Sequence, residues 1–360
     1  MNERFVFYYP NALTVQTGVN VAVWGWAEAL AAAGNRVAML YHGGDAAGRS
    51  GSAVELAALA WRGKGRWRRP VGLASQLDEG DVLILSSGYL WCNLVAGRIA
   101  RRFGIPYLVV PHGAYPPGLR RNRRIVRTIW ELAERRLLEG AAAVHLFFDV
   151  ERDFLAPLAP KARVIVAPTG FDQLKASWTG DGSYLGWYGR YAIEAKGLDL
   201  LIEGMAAMSP AERPRLSMRG MPSKHNEQTV RALVAHKGLT DWISVEGPVF
   251  GDEKIAFLEN AKGFIHTSRW EAQSIAIMEA LSVGVPVMVS EGTNIAGPLR
   301  EHNAAVVVSD DPVQIAEGIR QLLTADPAMG RRGRRLIDEL FNWPATTKSF
   351  VDQVRKLPAR

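Results

Sequence analysis

Two segments of this sequence carry side chains whose types and spacing could do chemistry on a phosphorylated, hydroxyl-rich ligand. The first runs Ser268-Arg269-Trp270-Glu271-Ala272-Gln273-Ser274-Ile275-Ala276-Ile277-Met278-Glu279-Ala280. A carboxylate accepts two or more O–H bonds, and charge-assisted bonds contribute about 1.5–3 kcal/mol each, so two such groups suit the hydroxyls of a sugar and a ribose. Helix over the eight residues from Glu271 to Glu279 would rise ~12 Å and place one carboxylate at each end of a nucleotide sugar. N-terminal amides, those of Ser274 and Ile275 among them, would then face the diphosphate between the two. A plainer reading stays open: Glu271 as a first-turn residue favoured by the helix dipole, and Glu279 as a solvated helix residue, a reading that its surroundings weaken. Its neighbours Ile275, Ile277, Met278, Leu281 and Val283 are apolar nearly all round, so a carboxylate there calls for a partner.

The second segment is Leu185-Gly186-Trp187-Tyr188-Gly189-Arg190-Tyr191-Ala192-Ile193-Glu194-Ala195-Lys196-Gly197-Leu198-Asp199-Leu200-Leu201. It reads as a strand ending at Gly189, a loop with Arg190 and Lys196, and a helix opening at Gly197. Two cations on a strand-to-helix loop can stabilise the charge that develops on a departing diphosphate. Solvated surface cations are the other reading.

These segments need a scaffold, and the rest of the chain supplies its grammar. Apolar β-type runs at Arg4–Tyr9, Arg36–Leu40, Asp81–Ser86 and Tyr107–Val110 alternate with helical patterns at Val21–Ala33, Leu90–Phe103 and Arg123–Glu139. Strands alternating with long helices imply βαβ units, and strands apolar on both faces imply a parallel sheet covered on both sides. The grammar restarts after Val164–Ala167. Strands are expected at Tyr184–Tyr188, Arg215–Arg219, Ile243–Glu246, Gly263–His266, Val285–Val289 and Ala304–Val308, and helices at Leu198–Met208, Asn226–Lys237, Asp252–Asn260 and Ser274–Val283. Turn residues at Pro168-Thr169-Gly170 and Trp178-Thr179-Gly180-Asp181-Gly182 mark the link. The fold class is therefore α/β, with Rossmann-like domains at 1–168 and 181–340. Helices are expected at Val313–Thr324, Gly333–Phe341 and Ala345–Lys356, with a break at Trp343-Pro344 before the last.

Composition sets outer bounds. The chain has 360 residues, 48% hydrophobic and 22% charged, which fits a folded two-domain protein. The single cysteine, Cys92, allows neither an internal disulfide nor a cysteine metal cluster, and a reducing compartment fits. The N-terminus has no basic n-region or cleavage site, and no apolar run reaches spanning length. A cytoplasmic location follows as the expectation. The net charge of +7 suggests an acidic partner: nucleotide phosphates, an anionic membrane or nucleic acid.

Taken together, the two segments resemble the large family 4 of retaining glycosyltransferases, whose GT-B fold sets two Rossmann-like domains about a central cleft. Gly189-Arg190 with Lys196 to Leu201 is similar to that family's phosphate segment. Glu271 to Glu279 is similar to its Glu, seven residues, Glu pattern, and Ala280 to Val287 to the continuation. In the first half Asp81–Leu85 and Gly104-Ile105-Pro106 leading to Pro111-His112-Gly113 also fit. The resemblance implies that Glu271 holds donor-sugar hydroxyls, Glu279 the ribose, and Arg190 and Lys196 the diphosphate. It further implies that His112 approaches the donor sugar, that Gly247-Pro248-Val249 lies along the base, and that a loop at Gly18 borders the donor. The donor would be a UDP-, GDP- or ADP-hexose, transferred with retention and with no metal or other cofactor. In agreement, the sequence has no Asp-x-Asp pair to hold a divalent ion. The closing helix, 341–360, would pack back on the first domain. Two departures stand out: Ala272-Gln273-Ser274 replaces the common Gly-Phe-Gly, and Thr17-Gly18-Val19 replaces a usual glycine pair.

The acceptor would be a glycan, lipid-linked or free, handled by the first domain. There Arg62, Lys64, Arg66, Arg68 and Arg69 form one basic cluster and Arg120, Arg121, Arg123, Arg124 and Arg127 another, with Trp67 and Trp130 interleaved. Basic stretches with tryptophan suit peripheral contact with the anionic inner face of a membrane, with Arg120, Arg123 and Arg124 facing acceptor or lipid. Solvated arginines are the alternative. No nucleic-acid motif accompanies the charge. Rival functions are a nucleotide-sugar epimerase or a phosphorylase of similar architecture, and a binding protein without turnover. A dinucleotide enzyme is disfavoured because no Gly-x-Gly-x-x-Gly opens a helix.

Overall fold

The computed structural model describes residues 3–14, 17–43, 52–116, 124–221 and 226–358, without the side chains of 124–127. The chain divides into two compact units, Met1–Gly170 with Trp343–Arg360, and Phe171–Asn342.

The first unit opens β1 (Arg4–Tyr9), α1 (Gly18–Ala32), β2 (Arg36–His42), β3 (Glu55–Arg62), β4 (Arg69–Val71), β5 (Asp81–Ser86) and α2 (Trp91–Arg102). It continues with β6 (Tyr107–Val110), α3 (Arg124–Glu139), β7 (Ala143–Leu146), α4 (Glu151–Leu155) and β8 (Val164–Val166). The eight strands lie in the order β4-β3-β2-β1-β5-β6-β7-β8, parallel except for β4. Phe5 to Tyr9 are buried on both faces of the sheet, as the apolar run requires. Thr17 caps α1 by accepting from the Asn20 N–H at 3.2 Å, satisfying a donor that the first turn leaves without a helical partner.

β3 and β4 have no counterpart among the expected strands. Most of β3 is incompletely covered, with only Leu59 buried, so its Ala-rich sequence shows neither a continuous apolar run nor a clean alternation. The first basic cluster is thus strand, 3-10 turn (Gly65–Trp67) and strand.

The second unit comprises β9 (Leu185–Arg190), α5 (Ile193–Lys196), α6 (Leu198–Ala207), β10 (Leu216–Met221), α7 (Asn226–His236), β11 (Ile243–Glu246) and α8 (Gly251–Glu259). There follow β12 (Gly263–His266), α9 (Ile275–Val283), β13 (Val287–Ser290), α10 (Ala296–Glu301), β14 (Val306–Val308), α11 (Pro312–Leu323) and α12 (Ala328–Leu340). Its all-parallel sheet has the order β11-β10-β9-β12-β13-β14. β13 starts at Val287 rather than Val285, because Pro286 has no N–H to donate. The segment at Trp178–Gly182, expected to be part of the link, is tied to this unit: the Trp178 ring N–H donates to the Ala261 carbonyl at 2.6 Å, and Thr179 donates to that of Glu259.

The last helix, α13 (Trp343–Arg355), belongs to the first unit. Phe350 packs 5.0 Å from Trp26, and the Gln353 amide accepts from the Val166 N–H at 3.0 Å and donates to its carbonyl at 2.8 Å. One side-chain amide thereby satisfies backbone groups on the β8 edge.

In the second unit α12 crosses α9 where two glycines meet. A Cβ on Gly330 would run into the Gly284 carbonyl, and Gly284 itself ends α9 in the left-handed region at φ +86°, the usual glycine position past a helix end. Gly330→Ala is therefore expected to force α12 off α9 and cost about 1–3 kcal/mol by overpacking. Urea unfolding measures this; unchanged stability would mean that the two helices adjust freely.

Candidate functional site

Each sheet is wound outward from one strand and then resumed on that strand's other side. In the second unit the chain runs β9, β10, β11 and returns to set β12 beside β9. Loops leaving the carboxyl ends of β9 and β12 therefore part in opposite directions, and such a switch point is where open α/β sheets hold ligands. Arg190 ends β9, and the segment from Thr267 to Ser274 follows β12. Both chemistry-bearing segments of the sequence thus meet at one place.

Their approach is close. Gly197 sits at φ +58°, and a Cβ there would collide with the Thr267 carbonyl, so the position demands glycine twice over. The Thr267 hydroxyl lies 3.2 Å from the carbonyls of Lys196 and Gly197. Arg269 grips Asp199 with two bonds of 2.7 Å and donates to the Glu194 carbonyl at 2.9 Å. This bidentate pairing clamps the β12 loop onto the start of α6. On the other side Glu271 pairs with Thr293 as an isolated β-bridge, its N–H donating to Gly292 at 3.1 Å.

Held this way, Glu271 forms an ion pair with Lys196. His266 Nε2 lies 3.4 Å from the same carboxylate and 3.0 Å from the Ser268 hydroxyl. Burial alone would raise the Glu271 pKa, but the Lys196 ammonium and His266 outweigh it and hold the group well below the ordinary carboxylate range, opposite charge winning over desolvation. Burial and the same ammonium push His266 down, which keeps the imidazole neutral.

Glu279 is buried within α9 and has the partners its apolar surroundings call for. Tyr188 donates to one oxygen at 2.6 Å, and Lys254 forms an ion pair with the other. Burial and the neighbouring Glu279 raise the Tyr188 pKa well above its usual value, so the phenol stays a donor. Each carboxylate oxygen keeps a further lone pair for a ligand hydroxyl. Arg190 is exposed and makes no ion pair among the described residues. Arg269, by contrast, is consumed by its clamp.

The structure corrects one expectation of geometry. Helix starts only at Ile275, because Ser274 is extended at φ −84°, ψ 118°. About 6 Å of helical rise separates Ile275 from Glu279, and irregular backbone spans the rest. Gly247 is exposed and Val249 buried, just beyond the carboxyl end of β11. Lys254, Tyr188, His266 and the Arg269–Asp199 clamp were not singled out from sequence. Tyr188 and Asp199 lay inside the second segment and Arg269 inside the first, with no role assigned to any of them.

Five of the expected residues, Gly18, His112, Arg120, Arg123 and Arg124, fall in the first unit. Gly18 opens α1 in open space, with nothing near a notional Cβ, so no steric demand for glycine exists there. His112 follows β6 at φ +51°, a strained conformation for a residue with a side chain. Its ring packs 5.4 Å from Phe147, and its buried Nε2 finds no hydrogen-bond partner among the described residues. Burial and His145 lower its pKa to about 3. Arg120 and Arg123 lie outside the described residues, and Arg124 opens α3 with an undescribed side chain. Among the described residues no three His, Cys, Asp or Glu side chains gather to hold a metal ion, and no helix is long and apolar enough to cross a membrane.

Comparison with known proteins adds the following. The family model "Glycosyl transferases group 1" matches residues 182–325, and "Glycosyl transferase 4-like domain" matches residues 17–170. A GDP-mannose:cellobiosyl-diphosphopolyprenol alpha-mannosyltransferase of Xanthomonas campestris is 22% identical over 83% of this chain and 80% of its own length. A D-inositol 3-phosphate glycosyltransferase of Frankia alni is 23% identical over 77% and 75%. Among solved structures, Anabaena HepE in complex with UDP and glucose superposes with a TM-score of 0.79 at 14% identity, covering 99% of this chain and 100% of that one. Sucrose-phosphate synthase from Thermosynechococcus elongatus gives 0.77 at 18%, covering 99% of each.

The Lys196–Glu271 pair makes a pH-dependent prediction. A carboxyl with a depressed folded pKa adds stability above its unfolded value and loses it as pH falls through the folded one. Lys196→Met removes the main lowering influence and leaves burial, which raises the pKa, so the variant loses stability as pH rises through the carboxylate range. The stability gap between wild type and variant should accordingly be widest near pH ~7 and shrink toward pH ~4. Urea unfolding of both proteins across that range reads the gap; a constant gap would contradict the pairing.

Proposed function

The chain belongs to the group 1 glycosyl transferases, with the GT-B fold of family 4, and on that premise we propose that it moves a hexose from a nucleoside-diphosphate sugar to a lipid-diphosphate-linked glycan. The observation that carries the donor half is the pair of held carboxylates, Glu271 and Glu279, beside Arg190 and Lys196 at the switch point of the second sheet. In this reading Glu279 takes the ribose hydroxyls, Glu271 the sugar hydroxyls, and Gly247 and Val249 border the base. Ser274 and Ile275 offer α9 amides to the diphosphate.

Chemistry follows from where charge develops. As the bond from the anomeric carbon to the phosphate oxygen breaks, negative charge grows on the departing diphosphate. Lys196, held in advance by Glu271, and Arg190 beside it stabilise it there. The acceptor hydroxyl attacks the face from which the diphosphate departs, giving retention, and its proton passes to the leaving phosphate oxygen. The family resemblance would give His112 a role toward the donor sugar as a neutral group, in keeping with its depressed pKa. The acceptor class is supported by the Xanthomonas relatives, whose names specify GDP-mannose and a diphosphopolyprenol-linked disaccharide. Such an acceptor implies work at the cytoplasmic face of a membrane. An epimerase would interconvert donors with no acceptor present, and nothing in the site favours that over transfer.

Thermal stabilisation by a panel of nucleoside diphosphates and their hexose conjugates, GDP-mannose first, tests the donor half, since the shift scales with concentration over affinity. One responsive base is expected; silence across the panel would leave the site without a donor. Glu279→Ala should weaken nucleotide binding about 10- to 150-fold, the equivalent of one charge-assisted bond. Lys196→Ala should lower kcat by roughly 10²–10³. If both variants kept wild-type kinetics, these roles would fall.

A further inference from the structure

The first sheet has the same winding as the second, and its switch point holds a pocket. The chain runs β1, β2, β3, β4 and then sets β5 on the other side of β1. At the carboxyl ends of these strands opens a cavity of about 510 Å³, within the range that holds small ligands. Its chemistry differs from that of the second unit. Trp61, Trp91 and Trp130 line it together with Arg66, Arg68 and Glu131.

These side chains are organised before any ligand arrives. The Trp61 ring stacks on His42 with centroids 3.4 Å apart and planes within 9°, and His42 is held by the Tyr8 hydroxyl at 3.1 Å. With one face covered, the indole has its other face for the pocket. Trp67, from the 3-10 turn, stacks on Trp130 at 5.6 Å and meets Trp91 edge-on at 5.2 Å. The turn that carries Arg66 and Arg68 is thus pinned to α2 and α3. Beneath it, buried Glu134 accepts from the Tyr89 N–H at 2.8 Å and from the Tyr115 hydroxyl at 2.7 Å. This fixes the loop after β5, where Ser87 and Tyr89 take left-handed conformations that a side chain adopts only when its surroundings hold it there.

Flat aromatic faces suit the apolar C–H faces of pyranose rings, a carboxylate suits their hydroxyls, and guanidinium groups suit phosphate oxygens. Neither Arg66 nor Arg68 has an ion-pair partner among the described residues, and both are exposed. We propose that this pocket binds a saccharide carrying a phosphate or diphosphate at its reducing end, the sugar rings on Trp61 and Trp91 and the anionic group on Arg66 and Arg68. Calling that ligand the acceptor rests on the glycosyltransferase reading above; the binding does not. The ligand reaches the pocket either as a free sugar phosphate or as the head of a lipid-linked glycan.

Calorimetric titration of the full chain, with no nucleotide present, tests this. The probes are cellobiose 1-phosphate, cellobiose, inorganic phosphate, a short-chain cellobiosyl-diphosphopolyprenol and anionic phospholipid vesicles without glycan. Cellobiose 1-phosphate should bind at least tenfold more tightly than cellobiose or phosphate, and the doubly substituted Arg66→Ala/Arg68→Ala protein should lose that advantage while keeping a wild-type circular dichroism spectrum. Trp61→Ala, which leaves the Trp67 contacts with Trp91 and Trp130 in place, should weaken the phosphorylated sugar and leave inorganic phosphate unchanged. Tighter binding of the polyprenol conjugate assigns the ligand to a lipid, and equal binding assigns it to a soluble sugar phosphate; either supports the pocket. Equal affinity for cellobiose with and without phosphate would overturn the proposal, as would arginine-dependent binding of bare vesicles with no response to cellobiose 1-phosphate. Because the titration contains no donor, a failed nucleotide panel and a failed saccharide titration remain separate results.

Discussion

Where the second sheet winds back on itself, the backbone of Gly197 passes so near the Thr267 carbonyl that no side chain could stand between them. That approach is the constraint on which the donor region depends. It brings the loops after β9 and β12 close enough for Lys196 to reach Glu271 and for Arg269 to reach Asp199. Two cations and two anions on neighbouring loops would otherwise be long, mobile side chains, whose pairing at an exposed surface is worth little. Here the backbone contact fixes their separation in advance, so the pairs form with little further ordering.

The same logic explains which parts of the molecule were legible in the sequence. Strands such as Arg4–Tyr9, Asp81–Ser86, Tyr107–Val110 and Gly263–His266 coincide with their expected bounds, because burial on both faces makes a nearly unbroken apolar run. β3 and β4 were not legible, since partial exposure removes that signal and the arginines at their ends drew attention as charge. Glu271, Glu279, Lys196 and Arg190 could be found from local spacing. Their partners could not: Tyr188 lies 91 residues from Glu279, and Asp199 lies 70 from Arg269. Such pairs are fixed by sheet order, which a single sequence does not display residue by residue. The onset of α9 was legible to within one residue, expected at Ser274 and found at Ile275 with Ser274 extended before it; the β-bridge from Glu271 to Thr293 on the same stretch joins residues 22 apart and was not.

Both units place chemistry at the reversal of strand order, yet they use opposite means of holding it. In the second unit charged groups fix one another, with Lys196 on Glu271 and Lys254 on Glu279. In the first, aromatic stacking does that work and leaves Arg66 and Arg68 outside any ion pair among the described residues. A rigid aromatic wall orders a guanidinium-bearing turn without neutralising it. Arginine held in this manner keeps its full charge for an incoming anion.

The internal pairing of the second unit has a consequence for any ligand it takes. Glu271 remains ionised because Lys196 and His266 outweigh the effect of burial, so an arriving diphosphate meets an ammonium already engaged with a carboxylate. Charges inside a buried site act through a lower effective dielectric than water, and an anion placed beside Glu271 alone would be repelled. Arg190, exposed and without an ion-pair partner among the described residues, adds positive charge beside this pair that no carboxylate offsets. The two carboxylates are held by their lysines before any ligand binds. Hydroxyl groups of the ligand complete the arrangement, since each carboxylate keeps acceptor capacity that its lysine does not use. Under the proposed function this arrangement suits a ligand both anionic and hydroxyl-rich, because Arg190 offers charge that no carboxylate offsets while Glu271 and Glu279 offer acceptors already held in place.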